Sequence, residues 1–265
     1  MSLVVNHNMM AANVARNLNS HYGRLSTSTQ RLSTGLRVNS AADDAAGLAI
    51  RELMRADITS LHQGARNAND AISLIQTADG ALGVIDEKLI RMKELAEQAA
   101  TGTYDSTQRF MIESEYQQMA SEITRIASAT DFNGIYLLNG NLSSGEHNGA
   151  GVYSTGKLKV HFGSSNDCAE DYYYIQIGCC TASAFGVGNQ AKEGTPGYSI
   201  STQQAAQQSL VALTNAIVSK DKIRAHLGAT QNRLENTITI LPAEKIFHIL
   251  HPPHLSVGDK TMLRF

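Results

Sequence analysis

A long apolar repeat in the first half of the chain constrains its fold more than any other feature. Between residues 61 and 99 the apolar positions are separated mostly by three or four residues, which is the spacing of a coiled-coil seam. A continuous helix from about Asp43 to Ala100 would be roughly 85 Å long at about 1.5 Å per residue. Such a helix must pack against other long helices to bury its apolar stripe. The repeat consists of Leu61, Ala65, Ala68, Ile72, Ile75, Leu82, Ile85, Leu89, Met92, Ala96 and Ala99.

A shorter helix is predicted ahead of the long one. Its other face carries Asn, Ser, Thr and Gln, so the isolated helix is marginal in water and needs a partner. Gly35 interrupts the pattern, and Ser40 or Asp43 can cap the following helix. We expect the apolar positions of this helix to have no cover within the chain and to stay disordered in the monomer, or to aggregate. Its seam includes Val14, Leu18, Leu25 and Leu32.

Two later segments complete the predicted helical bundle. A third helix begins near Asp105 or Ser106, after Gly102 ends the long helix in a left-handed cap, and the short connection makes the pair antiparallel. A helix that returns near the C-terminus carries a heptad series interrupted only by Lys220. The third helix is predicted to bury Phe110, Tyr116, Met119, Ile123 and Ile126, and the seam of the returning helix contains Leu213, Ile217, Leu227 and Leu234.

The region between the helices has a different pattern. Residues 157–163 alternate in polarity, residues 172–177 are aromatic and β-branched, and turn-forming residues lie between them, so a β-hairpin is predicted. The fold class is therefore mainly α, an elongated, antiparallel, coiled-coil-like helical bundle with a small β-hairpin region. The predicted organisation is a terminal helix at 1–42, a helical hairpin at 43–140, the β-hairpin region at 141–198, the returning helix at 199–241 and a tail at 242–265.

Charge and composition exclude several classes of protein. The net charge of -2 gives no reason to expect nucleic acid or a membrane as a partner. The first 42 residues contain arginines and no acid, which also fits a mitochondrial transit peptide, but the pattern continues into the next helix without a processing boundary. No apolar core of a secretory signal and no apolar run of membrane-spanning length occurs. Composition alone indicates a cytosolic protein.

The cysteines and histidines suggest weak alternatives. Cys168, Cys179 and Cys180 fall in one short window, where a bridge from Cys168 to either partner competes with free thiols. A thiol enzyme would use Cys168 or Cys179 with His161, but a single hairpin offers no rigid support for catalysis. The residues His248, His251 and His254 recur every third position, but prolines between them favour a disordered tail over a metal site. We therefore expect no catalytic residue, metal or cofactor.

Several ordered motifs resemble one known family. The run from Arg31 to Ile50, followed by Arg66 to Asp70, closely resembles the N-terminal region of bacterial flagellin. Asp131 to Gly134 and Leu227 to Leu234 are similar to two further flagellin landmarks. The similarity covers residues 1 to about 240 and is weaker across 141–198, where a short form would have no large outer domain.

This resemblance implies a structural subunit of the bacterial flagellar filament that polymerises through its helical termini for swimming motility. The implied partners are other copies of the chain, the flagellar export apparatus and its chaperone, the hook-junction and cap proteins, and Toll-like receptor 5 of the host. The implied location is the extracellular flagellum, reached without a cleaved signal peptide. The alternative function is a secreted, non-polymerising variant that acts as a receptor ligand. A generic coiled-coil protein, such as a signalling stalk, is a third interpretation that the ordered motifs disfavour.

Three positions match those through which many flagellins bind the receptor. Arg91 and Leu95 are one helical turn apart, and Glu115 lies on the next helix, so one exposed face could present all three side chains. The alternative interpretation is that Arg91 and Glu115 form a surface ion pair while Leu95 belongs to the core.

The C-terminal tail departs from the family pattern. A flagellin is expected to continue with an amphipathic helical segment, whereas here Pro242 is predicted to break the helix and Pro252-Pro253 to prevent its resumption. A shifted reading frame near codon 239 would produce such a change, and an intact frame in the source DNA would refute that hypothesis. We therefore expect this chain alone to form filaments poorly.

Overall fold

Five helices and two short hairpins account for the regular structure of the described residues. The computed structural model describes residues 8–145, 156–167 and 171–250, and it divides into two units, Met1–Ile58 with His248–Phe265, and Thr59–Phe247. The long helices confirm the mainly α fold class. The elements are α1 (Met9–Thr34), α2 (Ala45–Ala100), α3 (Ser106–Ala129), β1 (Asp131–Phe132), β2 (Ile135–Tyr136), β3 (Leu158–His161), β4 (Tyr172–Ile175), α4 (Ala182–Phe185) and α5 (Gln203–Leu250).

The seam of α2 forms the centre of the core in the second unit. The predicted positions from Leu61 to Ala99 are buried, except Ala65 and Ile72, which are half-buried against the core. The buried face is wider than the predicted stripe, because a helix that packs against more than one neighbour needs a wider apolar face than a simple a/d stripe. It also includes Ala71, Leu74, Ala78 and Leu95.

Helix α3 lies against α2 as predicted, with one error in its buried face. Tyr116 and Ile123 are fully buried, and the Tyr116 hydroxyl donates a hydrogen bond of 2.7 Å to the carbonyl of Gly197. Phe110 is 69% exposed, so its predicted burial was wrong. Six residues separate Phe110 from Tyr116, which at about 100° per residue turns its side chain roughly 120° away from the buried face.

The connection between α2 and α3 differs from its prediction. Gly102 does not have a positive φ, so the predicted left-handed cap was wrong. The Arg109 guanidinium instead donates hydrogen bonds to the carbonyls of Ala99 (3.1 Å) and Thr101 (3.0 Å), which satisfies the free acceptors at the end of α2. At the start of α3, Asp105 and Gln108 form a capping box.

The predicted β-hairpin is confirmed. Strands β3 and β4 pair antiparallel, with Leu158 opposite Ile175 and His161 opposite Tyr172. The hairpin touches α2, where Asn67 donates a 2.9 Å hydrogen bond to the carbonyl of His161. The approach is close enough that only glycine fits on α2 at position 64, since an added Cβ would lie 1.9 Å from the carbonyl oxygen of Phe162.

Helix α5 returns along the core and continues further than predicted. Leu213, Leu227 and Leu234 are buried, which confirms its seam. The prediction that the helix breaks at Pro242 was wrong, since the backbone stays helical to Leu250. A proline within a helix removes one hydrogen bond, here to the carbonyl of Ile238, without requiring the following residues to leave the helical conformation. Residues 251–265 of the predicted tail lie outside the described residues.

The two described cysteines are free thiols in different environments. Cys179 is half-buried, and its sulfur lies 3.6 Å from the carbonyl oxygen of Asn139 and 3.4 Å from the Thr181 hydroxyl. Cys180 is fully buried, and burial together with the neighbouring Cys179 raises the pKa of its thiol to about 12. Cys168, from which the sequence left open a bridge to either of these residues as the alternative to free thiols, lies outside the described residues.

The contact at Gly64 generates a stability prediction. Gly64→Ala should lower the free energy of unfolding by about 1–3 kcal/mol, because the added methyl group overlaps the backbone of Phe162, directly after β3. Gly80→Ala is the matched control in the same helix: nothing lies within 4 Å of its added Cβ, and the substitution should raise stability by about 1 kcal/mol. Urea unfolding followed by circular dichroism measures both values, and equal effects would contradict the close approach of β3 to α2.

The cysteines generate a labelling prediction. Iodoacetamide at about pH 8 should modify Cys179 and spare Cys180 in the folded protein, because alkylation requires an accessible thiolate. Tandem mass spectrometry of the peptide that contains both residues distinguishes the two positions. Modification of both in denaturant is the control, and equal labelling in the folded state would show that the packing around Cys180 is wrong.

Candidate assembly surface

Helix α1 exposes an apolar face along its entire length. All residues from 8 to 37 are exposed, and the large seam side chains remain between 52% and 86% accessible. The expectation that nothing covers this seam is confirmed for the described part of the chain. These side chains are Val14, Leu18, Leu25 and Leu32.

The helical state of α1 corrects the expectation of disorder. Residues 9–34 form a helix whose ends are capped on both sides. The side chain of Asn8 accepts a 3.1 Å hydrogen bond from the amide of Ala11, and Gly35 adopts a left-handed φ of 70° with its amide bonded to the carbonyl of Arg31. Capping satisfies groups that would otherwise favour fraying, so α1 presents an ordered apolar seam to a partner.

The charged residues of α1 avoid this seam. At about 100° per residue, Arg16, Arg24 and Arg31 lie at least 120° from the position of Leu18 around the helix axis. The positions that flank the seam carry neutral side chains such as Asn19, and the helix contains no acid. The exposed seam of α1 is therefore apolar, with its arginines turned away from Leu18.

The segment between α1 and α2 is held by local hydrogen bonds. The Asp43 carboxylate accepts hydrogen bonds from the backbone amides of Asn39 and Ser40, both at 3.2 Å, and these contacts hold its pKa below the usual value. Asp44 caps α2 through a 2.9 Å bond from the amide of Gly47. The predicted caps, Ser40 or Asp43, were therefore wrong: Asp43, one position before the observed cap, closes the turn instead.

A small apolar cavity lies next to this segment in the first unit. It has a volume of about 550 Å³ and is lined by Leu36, Arg51, Met54, Arg55 and Ile58. The Arg51 guanidinium donates a 2.6 Å hydrogen bond to the carbonyl of Val38 and also contacts Glu52. The start of α2 is thereby fastened to the connecting segment.

The remaining predicted seam positions lie inside the second unit. Every one of them joins the core shared by α2 and α5 or its smaller satellite cluster, and none is fully exposed. They stabilise the bundle rather than an interface between copies. These positions are Leu61, Ile72, Ile75, Leu213, Ile217, Leu227 and Leu234.

One feature of this seam was missed from the sequence. Lys220, the apparent interruption of the heptad series, is only 2% exposed, and its ammonium contacts Asp86 at 2.6 Å and Asp221 at 2.7 Å. Burial lowers the pKa of Lys220, but the hydrogen bonds to the two carboxylates more than offset it, so its pKa lies above the usual value. The sequence contained a signal for this contact: Asp79 and Asp86 on α2 are one heptad apart and offer carboxylates to a lysine in the seam of α5.

A second ion pair lies next to the first. Arg224 donates two hydrogen bonds to the Asp79 carboxylate, at 2.7 and 3.0 Å. The pair is partly exposed, and the hydrogen bond from Arg224 is the main cause of a lowered pKa for Asp79. We call Asp79, Asp86, Lys220, Asp221 and Arg224 the ionic layer.

The predicted receptor face is only partly exposed. Arg91 forms an ion pair with Glu115 at 2.9 Å and with Glu94 at 3.0 Å, and both carboxylates raise the pKa of the guanidinium. Leu95 is 1% exposed, so the expectation that one exposed face presents all three side chains was wrong. Leu95 belongs to the buried face of α2 and is part of the hydrophobic core. Receptor binding itself stays a prediction.

The predictions on metal and thiol chemistry depend partly on residues that the structure does not describe. His251 and His254 lie outside the described residues, and only the backbone of His248 is described. Across residues 8–145, 156–167 and 171–250, no group of three or more His, Cys, Asp or Glu side chains is placed to hold a metal ion. The His161 ring stacks on Tyr172 at 6.0 Å, whereas the Cys179 sulfur contacts Asn139 and Thr181.

In the described part of the chain, no helix combines the length and the apolarity that crossing a bilayer requires.

Comparisons with known proteins agree with this architecture. Residues 5–143 match the model of the bacterial flagellin N-terminal helical region. The flagellar filament core protein flaB2 of Brachyspira hyodysenteriae is 39% identical over 235 residues, which cover 89% of this chain and 79% of that protein. Flagellin FlaB1 of Treponema pallidum is 37% identical over 236 residues, with 89% and 80% covered.

A solved structure gives the same result for the fold. The crystal structure of Bacillus cereus flagellin superposes with a TM-score of 0.51 at 26% sequence identity, covering 66% of this chain and 88% of that one. The match to the family model spans more than half of the 265 residues, and the relatives are matched over most of their length. The chain therefore belongs to the bacterial flagellin family.

Proposed function

We propose that this chain is a structural subunit of a flagellar filament that polymerises through its helical termini and serves swimming motility. The observation that carries the proposal is the contrast between two apolar seams in one chain. The seam of α2 is covered by α3 and α5, whereas the seam of α1 is ordered, capped and uncovered. Relatives named as filament core proteins support the same function.

The energy for assembly comes from burial of the α1 seam. A fully buried Val or Leu side chain contributes about 1.5–3 kcal/mol relative to an exposed one. Each α1 carries several such side chains, and in a filament every copy buries the same set. Small gains per residue therefore add up to a stable polymer without any single strong contact.

The finer aspects of the proposal follow from family membership. Partners would include other copies of the chain, the export apparatus and its chaperone, and the hook-junction and cap proteins. The site of action would be the extracellular flagellum, reached without a cleaved signal peptide. The exposed amphipathic helix α1 supports the proposed chaperone, because an unpaired apolar seam must be protected until assembly. Catalysis has no part in the proposed function.

Incorporation into filaments tests the role of the α1 seam. Leu25→Asp should strongly reduce the amount of labelled chain that sediments with filament fragments of a flagellin relative, because a carboxylate cannot be buried unpaired. Thr27→Asp introduces the same charge on the opposite face of α1 and should have much less effect, since residues 25 and 27 lie about 200° apart around the helix. Equal loss in both variants, or none in Leu25→Asp, would contradict assembly through this seam.

Polymerisation of the unaltered chain by itself is a separate test. We expect the purified protein to form few regular filaments, because the sequence after Ile238 departs from the amphipathic pattern that would accompany α1. Electron microscopy after a polymerisation trial provides the measurement. Long, regular filaments would contradict this expectation about the tail while supporting the proposed function.

A further inference from the structure

The apolar seam between α2 and α5 repeats almost identically every seven residues. On α2 the buried series includes Ile75, Leu82 and Leu89, and on α5 it includes three leucines. Seven residues of helix correspond to about 10 Å. A repeat of this kind leaves similar apolar contacts when one helix is displaced by one heptad, so the apolar residues alone discriminate poorly between registers. The leucines of α5 are Leu213, Leu227 and Leu234.

The ionic layer breaks this repeat at one level of the seam. Lys220 occupies the heptad position between Leu213 and Leu227 and is as buried as its neighbours. Its ammonium reaches Asp86 on α2, while Arg224, one turn further along α5, holds the Asp79 carboxylate with two hydrogen bonds. Lys220 pairs with Asp86, and the later Arg224 pairs with the earlier Asp79. The two helices are therefore antiparallel, and these pairs define their register.

A displacement of α5 by one heptad towards the C-terminal end of α2 places two positive charges close together. In the observed register Lys220 lies at the level of Asp86. One heptad along α2 from Asp86 is Lys93, so the displaced Lys220 would meet a second ammonium. Leu234 would then lie at the level of Asp79 and leave that carboxylate without its bidentate partner.

A displacement in the opposite direction leaves charges unpaired. Lys220 would move to the level of Asp79, and Leu213 would cover Asp86. Arg224 would face the apolar stretch around Ile72 and Ile75, which offers no carboxylate. Lys220 would regain a carboxylate, but Asp86 would lose its cation beneath Leu213, and removing the partner of a partly buried charge is unfavourable even where the intact pair adds little to stability.

We propose that Lys220, supported by Arg224, determines the register of α5 against α2. The role is independent of filament assembly, since both helices belong to one chain. Its physical basis is that only one of the three nearby registers satisfies both cations, whereas all three retain a largely apolar seam. Lys220 is thus a positioning residue, and a leucine there would continue the series of α5 and remove the discrimination.

The test measures a distance along the seam. Spin labels on cysteines at Val84 and Val211, both exposed, report the axial position of α5 relative to α2. The background carries Cys168→Ser, Cys179→Ser and Cys180→Ala. Because the two labels are offset along the bundle, a slip of one heptad shortens or lengthens their axial separation by about 10 Å according to its direction. Pulsed electron paramagnetic resonance gives the distribution of distances.

A single distance is expected in the labelled background protein and in its Lys220→Arg variant, which keeps the positive charge. The double variant Lys220→Leu with Arg224→Leu should show a second population displaced by about 10 Å, with its helical circular dichroism retained. Lys222→Leu is the matched control, because Lys222 is an exposed lysine two residues away on the same helix. It should leave one population.

Two results would overturn the proposal. A single, unchanged distance in the double variant would mean that the apolar side chains and loops already fix the register. Loss of helical structure in the double variant would mean that the ionic layer supplies stability rather than a choice between registers.

Discussion

Burial of the α2 seam is the interaction on which the rest of the second unit depends. Its buried face shares one core with residues of α3 and α5, and the β-hairpin approaches the same helix at Gly64. No other element offers an apolar surface of comparable length in the described residues. The hairpin strands are four residues each, too short to fold independently, so they acquire their conformation by packing on α2 and α5.

Burial of an apolar seam also distinguishes the stable bundle from the surface proposed for assembly. Helix α1 has an apolar repeat like that of α2, yet all its residues are exposed. Its helical conformation rests on its caps and backbone hydrogen bonds, which give order but little net stability. A seam that is ordered and uncovered suits a helix that completes its packing in another molecule. In the proposed function, assembly follows from which of two similar seams the chain itself can cover.

Specificity within the bundle comes from its few charged contacts. Apolar heptads provide most of the stabilisation but repeat along the helix, whereas the Lys220 contacts to Asp86 and Asp221 occur at only one level. Such a pair stabilises weakly because desolvation of the charges opposes their attraction. Its effect lies in making displaced packings unfavourable. The exposed Arg91–Glu115 pair links α2 to α3 in a solvated setting, where charge pairs contribute little.

The sequence by itself determined the four long helices, the β3–β4 hairpin and the family, because apolar periodicity and turn residues are local properties of the chain. It assigned the α2 seam correctly for the same reason. It did not show the short helix α4 or the β1–β2 pair. Tertiary structure decided what the apolar repeat could not show: that Leu95 lies in the core, that Arg109 rather than Gly102 completes the end of α2, and that Lys220 is buried. Each of these depends on which neighbour covers a given helix face, and that depends on residues far away in the chain.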